Sequence, residues 1–344
     1  MEPVDEVIAR RRPRAPVMSD VGRLAGVSHQ TVSRVINGSP HVRPETRKRV
    51  LEAMEELGYR PNSVARALVT GRSRTLGVVS FDTTLYGPAS TLFGIEQAAH
   101  EAGYFIIVAS LKALNRSSVT DAVERLRRQG VDGVLVIAPH EEAGDALLHM
   151  HADVPMVAVE AGPDDGVPVV AVDQVAGAVS ATRHLLSLGH ETVWHISGPP
   201  NFIESRQRRD GWRATLEAAG ADVPEALVGD WSPNAGYELG RCLSTDSAVT
   251  AVFVANDQMA LGLLRAMHEA GRDVPGELSV VGFDDIPEAA YFLPPLTTVR
   301  QDFNEMGTRS LRLLLRTIET GDGDSSGTLV PPELIIRAST TAAP

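Results

Sequence analysis

The chain of 344 residues is long enough for two or three domains, and a hydrophobic fraction of 43% supplies large buried cores. No apolar run approaches the roughly 18 residues of a membrane span, and the single cysteine, Cys242, excludes an internal disulfide and a thiolate metal site. The formal net charge is −12, yet residues 1–74 hold 14 Lys and Arg against 8 Asp and Glu, whereas residues 75–344 hold 18 against 36. A basic end on an acidic body is typical of a chain that contacts a polyanion with one end only.

Residues 1–16 predict a disordered basic arm. They contain Arg10, Arg11, Arg12 and Arg14 together with prolines, and no apolar stretch follows these charges. Because a secretory signal needs such a stretch, the arm does not have the pattern of one, and we expect a cytoplasmic protein. The arginines leave open a weak additional contact with phosphate groups.

Residues 17–61 predict a small all-α domain with two short helices joined by a turn. The first helix covers Met18–Ala25, the turn contains Gly26, and the hydroxyl of Ser28 suits the cap of the second helix. Pro44 and Gly58 suit the start and the end of a third helix. Two helices joined by a glycine-bearing turn form a helix-turn-helix, whose second helix can lie in the major groove of DNA. The residues expected to pack together across the turn are Val21, Leu24, Ala25, Val32, Val35 and Ile36.

The outer face of the second helix carries hydrogen-bonding side chains, among them Gln30 and Arg34. Glutamine and arginine pair bidentately with the edges of adenine and guanine, so we expect these two residues to discriminate bases. Thr31 and Asn37 are expected to contact phosphate groups and orient the helix. A solvated surface face is the alternative interpretation, but the first helical turn lacks the acidic residue that would favour it. The predicted DNA contacts in this domain are Ser28, His29, Gln30, Thr31, Ser33, Arg34, Asn37 and His41.

Residues 62–74 predict one more short helix and a linker. Pro61 breaks the preceding chain, and residues 62–69 have the pattern of one more short helix. Eight residues are marginal as an isolated helix in water. An ordinary linker helix, with Leu68 packed on the domain that follows, is one interpretation of this segment.

From Thr75 onward short apolar runs alternate with amphipathic helical segments, which predicts a core over residues 75–344. Continuously apolar strands that alternate with helices form parallel sheets covered on both faces. Because the strands fall into two series, we predict two doubly wound lobes, the first over about 75–172 plus 302–325 and the second over about 173–299 plus 326–340. The predicted strands are Leu76–Ser80, Phe105–Ala109, Val134–Ala138, Met156–Val159, Val169–Val172, Val193–Ser197, Val252–Ala255 and Leu278–Phe283. The predicted helices include Gly94–Ala102, Ala176–Leu188, Arg208–Ala219, Asp257–Ala270 and Phe303–Thr320.

Polar side chains follow several of these strands. Glu160, Asp173, Asn256 and Asp284 each come directly after an apolar run, and ligands of such folds bind beyond the carboxyl ends of the strands. Carboxylates, amides and arginines over aromatic rings suit sugar hydroxyls, which both donate and accept hydrogen bonds. Helix capping is the alternative role for any one of these acids, and for Asp257 it is the favoured one.

Motifs for other chemistries are missing from the sequence. It contains no phosphate loop, no Cys/His metal spacing, no nucleophile elbow and no glycine-rich dinucleotide fingerprint after the first strand. We therefore predict neither a cofactor nor a bound metal. A sugar-acting enzyme would need an acid/base pair, which Glu160 and Asp284 resemble, but the sequence shows nothing that would activate them.

The sequence resembles the lactose-repressor family of bacterial transcription regulators from about residue 17 to the end. The motifs that carry the resemblance lie both in the helix-turn-helix and in the core. They are Met18–Val21, Ala25–Ser28, Thr31–Asn37, Val254–Gly262, Ser279–Asp285 and Pro294–Val299. The core motifs are similar to those of sugar-responsive repressors.

This resemblance implies a periplasmic-binding-protein architecture, with a ligand between two lobes and chain crossings near residues 172–174, 298–301 and 323–329. It implies that Trp231 offers an aromatic platform to a sugar; a tryptophan buried in an apolar core is the alternative. Glu160 stands where galactoside-responsive members carry aspartate, so the identity of the sugar stays open. The implied effector contacts are Leu85, Gly87, Pro88, Glu160, Arg208, Trp231, Asn256, Asp284, Gln301 and Phe303.

For residues 62–69 the resemblance implies a hinge helix that folds when two copies pair on DNA and wedges Leu68 into the minor groove. The tetramerising relatives carry leucine heptads at the C-terminus, and none follows Arg337 here, so we expect a homodimer. A two-fold dimer imposes its symmetry on the operator, which predicts an inverted repeat.

We therefore predict a nucleoid-associated, sequence-specific transcriptional repressor, not an enzyme, whose operator affinity is controlled by a small sugar that acts as an inducer. A sugar-binding transport receptor is one alternative, but it needs a secretory signal and has no use for residues 17–69. A regulator with a purine-like corepressor is the other.

Overall fold

The described part of the N-terminal unit contains three helices. The computed structural model describes residues 16–60, 71–111, 115–140, 153–162, 167–321 and 327–344, and the chain divides into two units, residues 1–73 and 74–344. In chain order the helices of the first unit are α1 (Met18–Ala25), α2 (His29–Ile36) and α3 (Pro44–Glu56). Val21, Val32 and Val50 are fully buried where these helices meet. Leu24, predicted to join this core, is 46% exposed, so the buried face of α1 is narrower than predicted.

Two of the predicted segments lie outside the described residues. Residues 1–15 contain nearly all of the predicted basic arm. Residues 61–70 contain the predicted hinge helix with Leu68. Both predictions therefore stay untested.

The second unit alternates strands and helices. In chain order it contains β1 (Thr75–Phe81), α4 (Tyr86–Glu101), β2 (Phe105–Leu111), α5 (Arg116–Arg128), β3 (Gly133–Ile137), β4 (Met156–Val159), β5 (Val169–Val172), α6 (Gln174–Ser187), β6 (Trp194–Ser197), α7 (Ile203–Ala219), β7 (Leu227–Val228), α8 (Pro233–Leu243), β8 (Ala251–Val254), α9 (Asp257–Glu269), β9 (Ser279–Asp284), a 3₁₀ helix (Pro287–Tyr291), β10 (Thr297–Arg300), α10 (Phe303–Thr320), β11 (Thr328–Val330) and β12 (Glu333–Ile335). No helix among the described residues has the length and apolarity that crossing a membrane requires.

The strands form two six-stranded sheets. The first has the order β11-β5-β4-β3-β1-β2, with every neighbouring pair parallel. The second has the order β12-β10-β9-β8-β6-β7 and is parallel except for β12, which runs antiparallel to β10. Helices cover both faces of each sheet, and the central strands are buried along their whole length, which confirms the predicted pair of doubly wound lobes.

The chain passes between the lobes three times. It crosses after β5 at Asp173 and after β10 at Gln301. The predicted third crossing at residues 323–329, and with it a second-lobe segment starting at residue 326, is wrong. Thr328–Val330 forms parallel hydrogen bonds with Val170–Val172 in the first sheet, so the chain crosses only after Val330. A three-residue strand has no periodicity to count, so the strand is not recognisable from the sequence pattern.

Several elements agree with the prediction to the residue, and others were missed. Met156–Val159, Val169–Val172 and Phe303–Thr320 have the predicted bounds. α5 was missed because it is mostly charged and polar, with a narrow buried stripe formed by Val119, Val123 and Leu126. α8 and β7, as well as β10 to β12, were also missed; each of these strands has four residues or fewer.

Candidate functional site

The helix-turn-helix presents α2 at the surface of the first unit. α1 ends at Gly26, whose φ of 63° is a left-handed conformation that favours glycine. The side chain of Ser28 then caps α2 by accepting a hydrogen bond from the backbone N–H of Thr31 at 3.2 Å. Val32 and Val35 anchor the helix in the small core. α2 therefore has one buried face and one free face.

The structure places the predicted DNA-contacting residues on or beside that free face. Ser28, His29, Gln30, Arg34, Asn37 and His41 are exposed, and Thr31 and Ser33 are half-buried. Ser28 Oγ lies 3.0 Å from Thr31 Oγ1, and Asn37 Nδ2 donates to Ser33 Oγ at 3.4 Å. The first turn of α2 contains no acid, so its free backbone N–H groups present a partial positive charge without competition.

A cavity of about 290 Å³ lies between the two lobes of the second unit. Residues that follow β1 and β3 in the first lobe and β6 and β8 in the second lobe line it. β1 and β3 are neighbours in the first sheet, and β6 and β8 are neighbours in the second. On either side of each pair the following strands are added in opposite directions, so each pair marks a topological switch point, where open α/β sheets bind ligands.

All ten predicted effector-contacting residues line this one cavity. The first lobe contributes Leu85, Gly87, Pro88 and Glu160, and the second contributes Arg208, Trp231, Asn256 and Asp284. Gln301 and Phe303 come from the crossing between β10 and α10. The cavity brings them together, and their role as ligand contacts stays a prediction.

Four side chains form a ring in the cavity wall, with three hydrogen bonds and one ion pair that closes it. Arg208 Nε donates to Gln174 Oε1 at 2.9 Å, and Gln174 Nε2 donates to Gln301 Oε1 at 2.9 Å. Gln301 Nε2 donates to Asp284 Oδ1 at 2.7 Å, and Asp284 Oδ1 lies 3.7 Å from an Arg208 amino group. Gln174 and Gln301 stand at the first two chain crossings, so this ring ties the ligand-facing charges to the segments that join the lobes.

Arg208 is held on every side. It is 3% exposed, its other amino group donates to the carbonyl of Ala255, and its guanidinium carbon lies 3.8 Å from the centre of the Phe283 ring. Burial raises the pKa of Asp284 to about 6, although Arg208 and the hydrogen bond from Gln301 act in the opposite direction. The wall thus contains a buried ion pair whose partners are fixed before any ligand arrives.

The capping role expected for Asp257 is wrong, because its neighbour Asn256 caps the helix. Asn256 Oδ1 caps α9 by accepting from the backbone N–H of Met259 at 2.9 Å. Asp257 is fully buried and accepts instead from Thr298 Oγ1 at 2.6 Å and from the backbone N–H of Ile286 at 2.9 Å. Burial raises its pKa well above the usual range. The sequence could not distinguish the two neighbours, because Asn and Asp are about equally good caps.

Trp231 has the features of a ligand-facing residue as well as those of a core residue. It is 8% exposed, and its indole lies so close to Gly198 that a Cβ there would come within 2.2 Å of the ring. The ring meets Phe202 edge-on at 5.6 Å. Its Nε1 is buried and has no hydrogen-bond partner among the described residues, whereas buried indole N–H groups usually have one. A ligand oxygen would satisfy it.

Three cavity-lining residues have strained backbones. Glu160, Trp231 and Asp284 have φ values of 59°, 72° and 111°, which non-glycine residues rarely adopt. Such strain costs about 1–3 kcal/mol per residue and concentrates at functional sites. The three positions come from both lobes, which supports one shared site.

Backbone contacts join the lobes beside the cavity. The backbone N–H of Ile203 donates to the carbonyl of Pro139 at 2.8 Å, and His140 forms an isolated antiparallel bridge with Phe202. The His140 and Phe202 rings are 4.1 Å apart, and the edge of Phe81 approaches His140 at 5.1 Å. The cleft is therefore closed on this side by a contact between the lobes.

Sequence reasoning missed several residues of the wall. They are Thr84, Tyr86, Thr91, Ile137, Pro139, Gln174, Glu204, Asp230, Ser232, Pro233 and Gln258. Gln174 follows a strand-end acid that was noted, and Glu204 lies in the segment of the noted arginines, so the strand-end rule applied one turn further would have found both. Of the others, Thr84, Pro139, Asp230 and Ser232 lie on loops, whereas Tyr86, Thr91, Ile137, Pro233 and Gln258 lie in helices or in β3.

The comparisons with known proteins agree with both halves of this description. Residues 17–62 match the bacterial regulatory proteins of the lacI family, and residues 182–340 match a periplasmic binding protein-like domain. The lactose operon repressor of Escherichia coli (strain K12) is 33% identical over 326 residues, which is 94% of this chain and 90% of that protein. The HTH-type transcriptional repressor PurR of Haemophilus influenzae (strain ATCC 51907 / DSM 11121 / KW20 / Rd) is 33% identical over 331 residues, 94% of this chain and 98% of that protein.

Solved structures give the same result. A crystal structure of the lac repressor dimer bound to operator and the anti-inducer ONPF has a TM-score of 0.86 at 32% identity, and covers 96% of this chain and 100% of that one. The complex of the transcriptional regulator CelR with cellobiose has a TM-score of 0.69 at 33% identity, with 94% and 99% covered. Because the likeness spans nearly the whole chain, the protein belongs to the lacI family of bacterial regulatory proteins, and it is a DNA-binding transcriptional repressor with a ligand-binding core, not an enzyme.

Proposed function

We propose that this repressor is a homodimer that binds an inverted-repeat operator and releases it when a small neutral sugar binds in the cavity between the lobes. The observation that carries the proposal is the convergence of all ten predicted effector contacts on one cavity wall. We place its action in the cytoplasm, on the nucleoid, where its operator is.

The chemistry of the wall supports a sugar. The Trp231 N–H is a donor without a partner, the carboxylates of Glu160 and Glu204 are acceptors, and Phe303 and Leu85 add apolar surface. A sugar ring has an apolar face and a rim of hydroxyls that both donate and accept. A solved relative binds cellobiose, and a lacI-family regulator from Enterococcus faecium, 28% identical with a TM-score of 0.67, was solved with bound ribose.

Exposed apolar side chains support the homodimer. In the first lobe Phe93 is 57% exposed and Phe105, on the edge strand β2, is 74% exposed. In the second lobe Tyr291 and Leu293 are 85% and 91% exposed. Large apolar side chains left in water mark surfaces that pair with a partner, and the solved relative bound to operator is a dimer.

The first test is a thermal-shift screen of the full chain against neutral mono- and disaccharides, including cellobiose, lactose and ribose, with hypoxanthine and guanine as competing candidates. A ligand present at 100 times its Kd adds about 2.7 kcal/mol to the free energy of unfolding. The sugar with the largest shift should then lower the affinity for an operator found by in vitro selection.

Three outcomes contradict parts of the proposal. Stabilisation by a purine and by none of the sugars would assign the cavity to a corepressor-type ligand. A sugar that tightens operator binding would reverse the direction of control. A selected duplex without two-fold symmetry, or a monomer in analytical ultracentrifugation, would remove the homodimer.

A further inference from the structure

Glu204 is a cavity-lining residue to which the motif comparison assigns no role. It lies in the first turn of α7, directly after the loop that follows β6, and so belongs to the second lobe. Its Oε2 atom is buried and has no hydrogen-bond partner among the described residues. Buried polar atoms are normally satisfied, so this oxygen points to a donor that the protein alone does not supply.

Glu160 lines the same cavity from the first lobe. It follows β4 with a φ of 59°, and its carboxylate interacts with Gln174. Burial, followed by the negative charge of Glu204, raises the pKa of Glu160 to about 8. Burial raises the pKa of Glu204 to about 7, with Asp284 acting in the same direction and Arg208 in the opposite one. The two side chains thus line one cavity from opposite lobes, and the negative charge of Glu204 acts on the carboxyl group of Glu160.

The remaining charges leave this pair without a counter-ion. Arg208 is the one cation in the part of the wall that the structure describes, and Asp284 and Gln174 already occupy it. Asp230, the other acid in the wall, is held by the hydroxyl and the backbone N–H of Ser232. The imidazole ring of His140, on the loop after β3, contacts the ring of Phe202. Above about pH 8, where both Glu160 and Glu204 are ionised, an anionic ligand would thus meet an excess of negative charge, and desolvation would strengthen the repulsion.

We propose that Glu204 is a specificity-determining residue that pairs with Glu160 across the cleft, so that the two carboxylates accept hydrogen bonds from donor groups on opposite sides of the effector and reject ligands that carry an anionic group. This inference rests on the proposed sugar-binding function and adds the charge class of the ligand: neutral glycosides bind, and sugar acids and sugar phosphates do not. Hydroxyl groups satisfy Glu204 Oε2, whereas a carboxylate or phosphate offers it no donor.

The binding test uses sugar pairs that differ only at C6. Methyl β-D-glucopyranoside is compared with methyl β-D-glucuronide, and methyl β-D-galactopyranoside with methyl β-D-galacturonide, by calorimetry on the full chain at about pH 9, where both carboxyl groups are ionised. The wild type should bind the neutral member of at least one pair at least about tenfold more tightly than the acid. An interaction that shifts a pKa by one unit corresponds to about a tenfold change in affinity. Glu204→Gln should bring that ratio close to one. Glu217→Gln, an exposed carboxylate on the same helix, is the matched control and should leave it unchanged.

An acid that binds the wild type as tightly as its neutral partner would overturn the inference, and so would a ratio unaffected by Glu204→Gln. Either result would leave the proposed sugar function intact, because a sugar would still have bound. Failure of all four glycosides, with binding of hypoxanthine instead, would contradict the proposed function.

A second measurement needs no ligand. The midpoint of urea unfolding is measured at pH 8 for Glu160→Gln, Glu204→Gln and the double variant. If the carboxylates face each other, removing either relieves the same repulsion, and the double variant should gain clearly less than the sum of the two single gains. Additive effects would show that the two carboxylates do not interact, and the pairing across the cleft would be withdrawn.

Discussion

The two functional surfaces of this protein hold their side chains in opposite ways. On α2, Gln30 and Arg34 project from a helix whose stability comes from its other face. Around the cavity, Arg208 and Asp284 are 3% and 7% exposed and belong to a ring of three hydrogen bonds that their ion pair closes. DNA is a large polyanion that exposed groups can approach, whereas a small ligand must be surrounded. The comparison predicts that exposed contact side chains of α2, such as Gln30 and Arg34, can be replaced without loss of stability. Replacing the contact side chains around the cavity should lower stability.

Arg208→Ala should produce the largest effect. The substitution leaves Asp284, Gln174 and the carbonyl of Ala255 without their partner in a buried site, and breaking a buried ion pair in this way costs about 3–5 kcal/mol. Urea unfolding measures the loss, and effector titration of operator binding measures the response. Arg209→Ala, next to it but only near Asp210 at 3.9 Å on the surface, should cost under about 1 kcal/mol. Equal costs would contradict the buried ring.

Stability should fall as the pH rises from 5 to 8. The pKa values of Glu160, Glu204 and Asp284 are raised in the folded state to about 8, 7 and 6. A raised acid contributes stability that is complete below its unfolded pKa and is lost as the pH passes through its folded pKa. The expected loss is on the order of several kcal/mol, since each acid that keeps its proton only in the folded state contributes about 1.4 kcal/mol per pH unit. Unfolding at each pH checks it, and Glu160→Gln should flatten the curve. A curve that rises over this range would contradict the burial of these acids.

Gln30→Ala tests whether the exposed face of α2 discriminates bases. Because Gln30 is exposed, the unfolding midpoint should stay unchanged, while discrimination at one base pair of each half-site falls by about 1–3 kcal/mol. In vitro selection with wild type and variant measures the preference. An unchanged selected sequence would show that Gln30 does not contact a base.

Ser28→Ala should have the smallest effect. Among the predicted DNA contacts of the helix-turn-helix, Ser28 has a clear structural role, because it caps α2. Removing the cap of α2 costs about 1 kcal/mol locally, because the N–H of Thr31 loses its acceptor. Hydrogen exchange of residues 28–32 in the full chain measures this loss. Ser28→Asp, which keeps a capping oxygen, should restore protection but weaken DNA binding by adding a negative charge.

The sequence predicted part of the cavity wall and most of the strands and helices that surround it. Polar residues directly after apolar strands, such as Glu160 and Asp284, can be recognised from the sequence as candidate ligand contacts, because the carboxyl ends of parallel strands meet at one edge of a sheet. Gln174 and Glu204 were missed because the rule was applied only to the residues directly after a strand, and these two lie in the first turns of α6 and α7. Three-residue strands such as β11 escaped because only their hydrogen-bonding partners define them.

Local patterns therefore sufficed for the helix-turn-helix, the alternation of strands and helices and the strand-end acids, since each depends on residues close together in the chain. The closed ring of Arg208, Gln174, Gln301 and Asp284 joins positions up to 127 residues apart. The raised pKa values of Glu160 and Glu204 arise from burial between two lobes. Burial and the charges that approach through space are properties of the packed chain, and for that reason only the tertiary structure decided which of the polar residues act together.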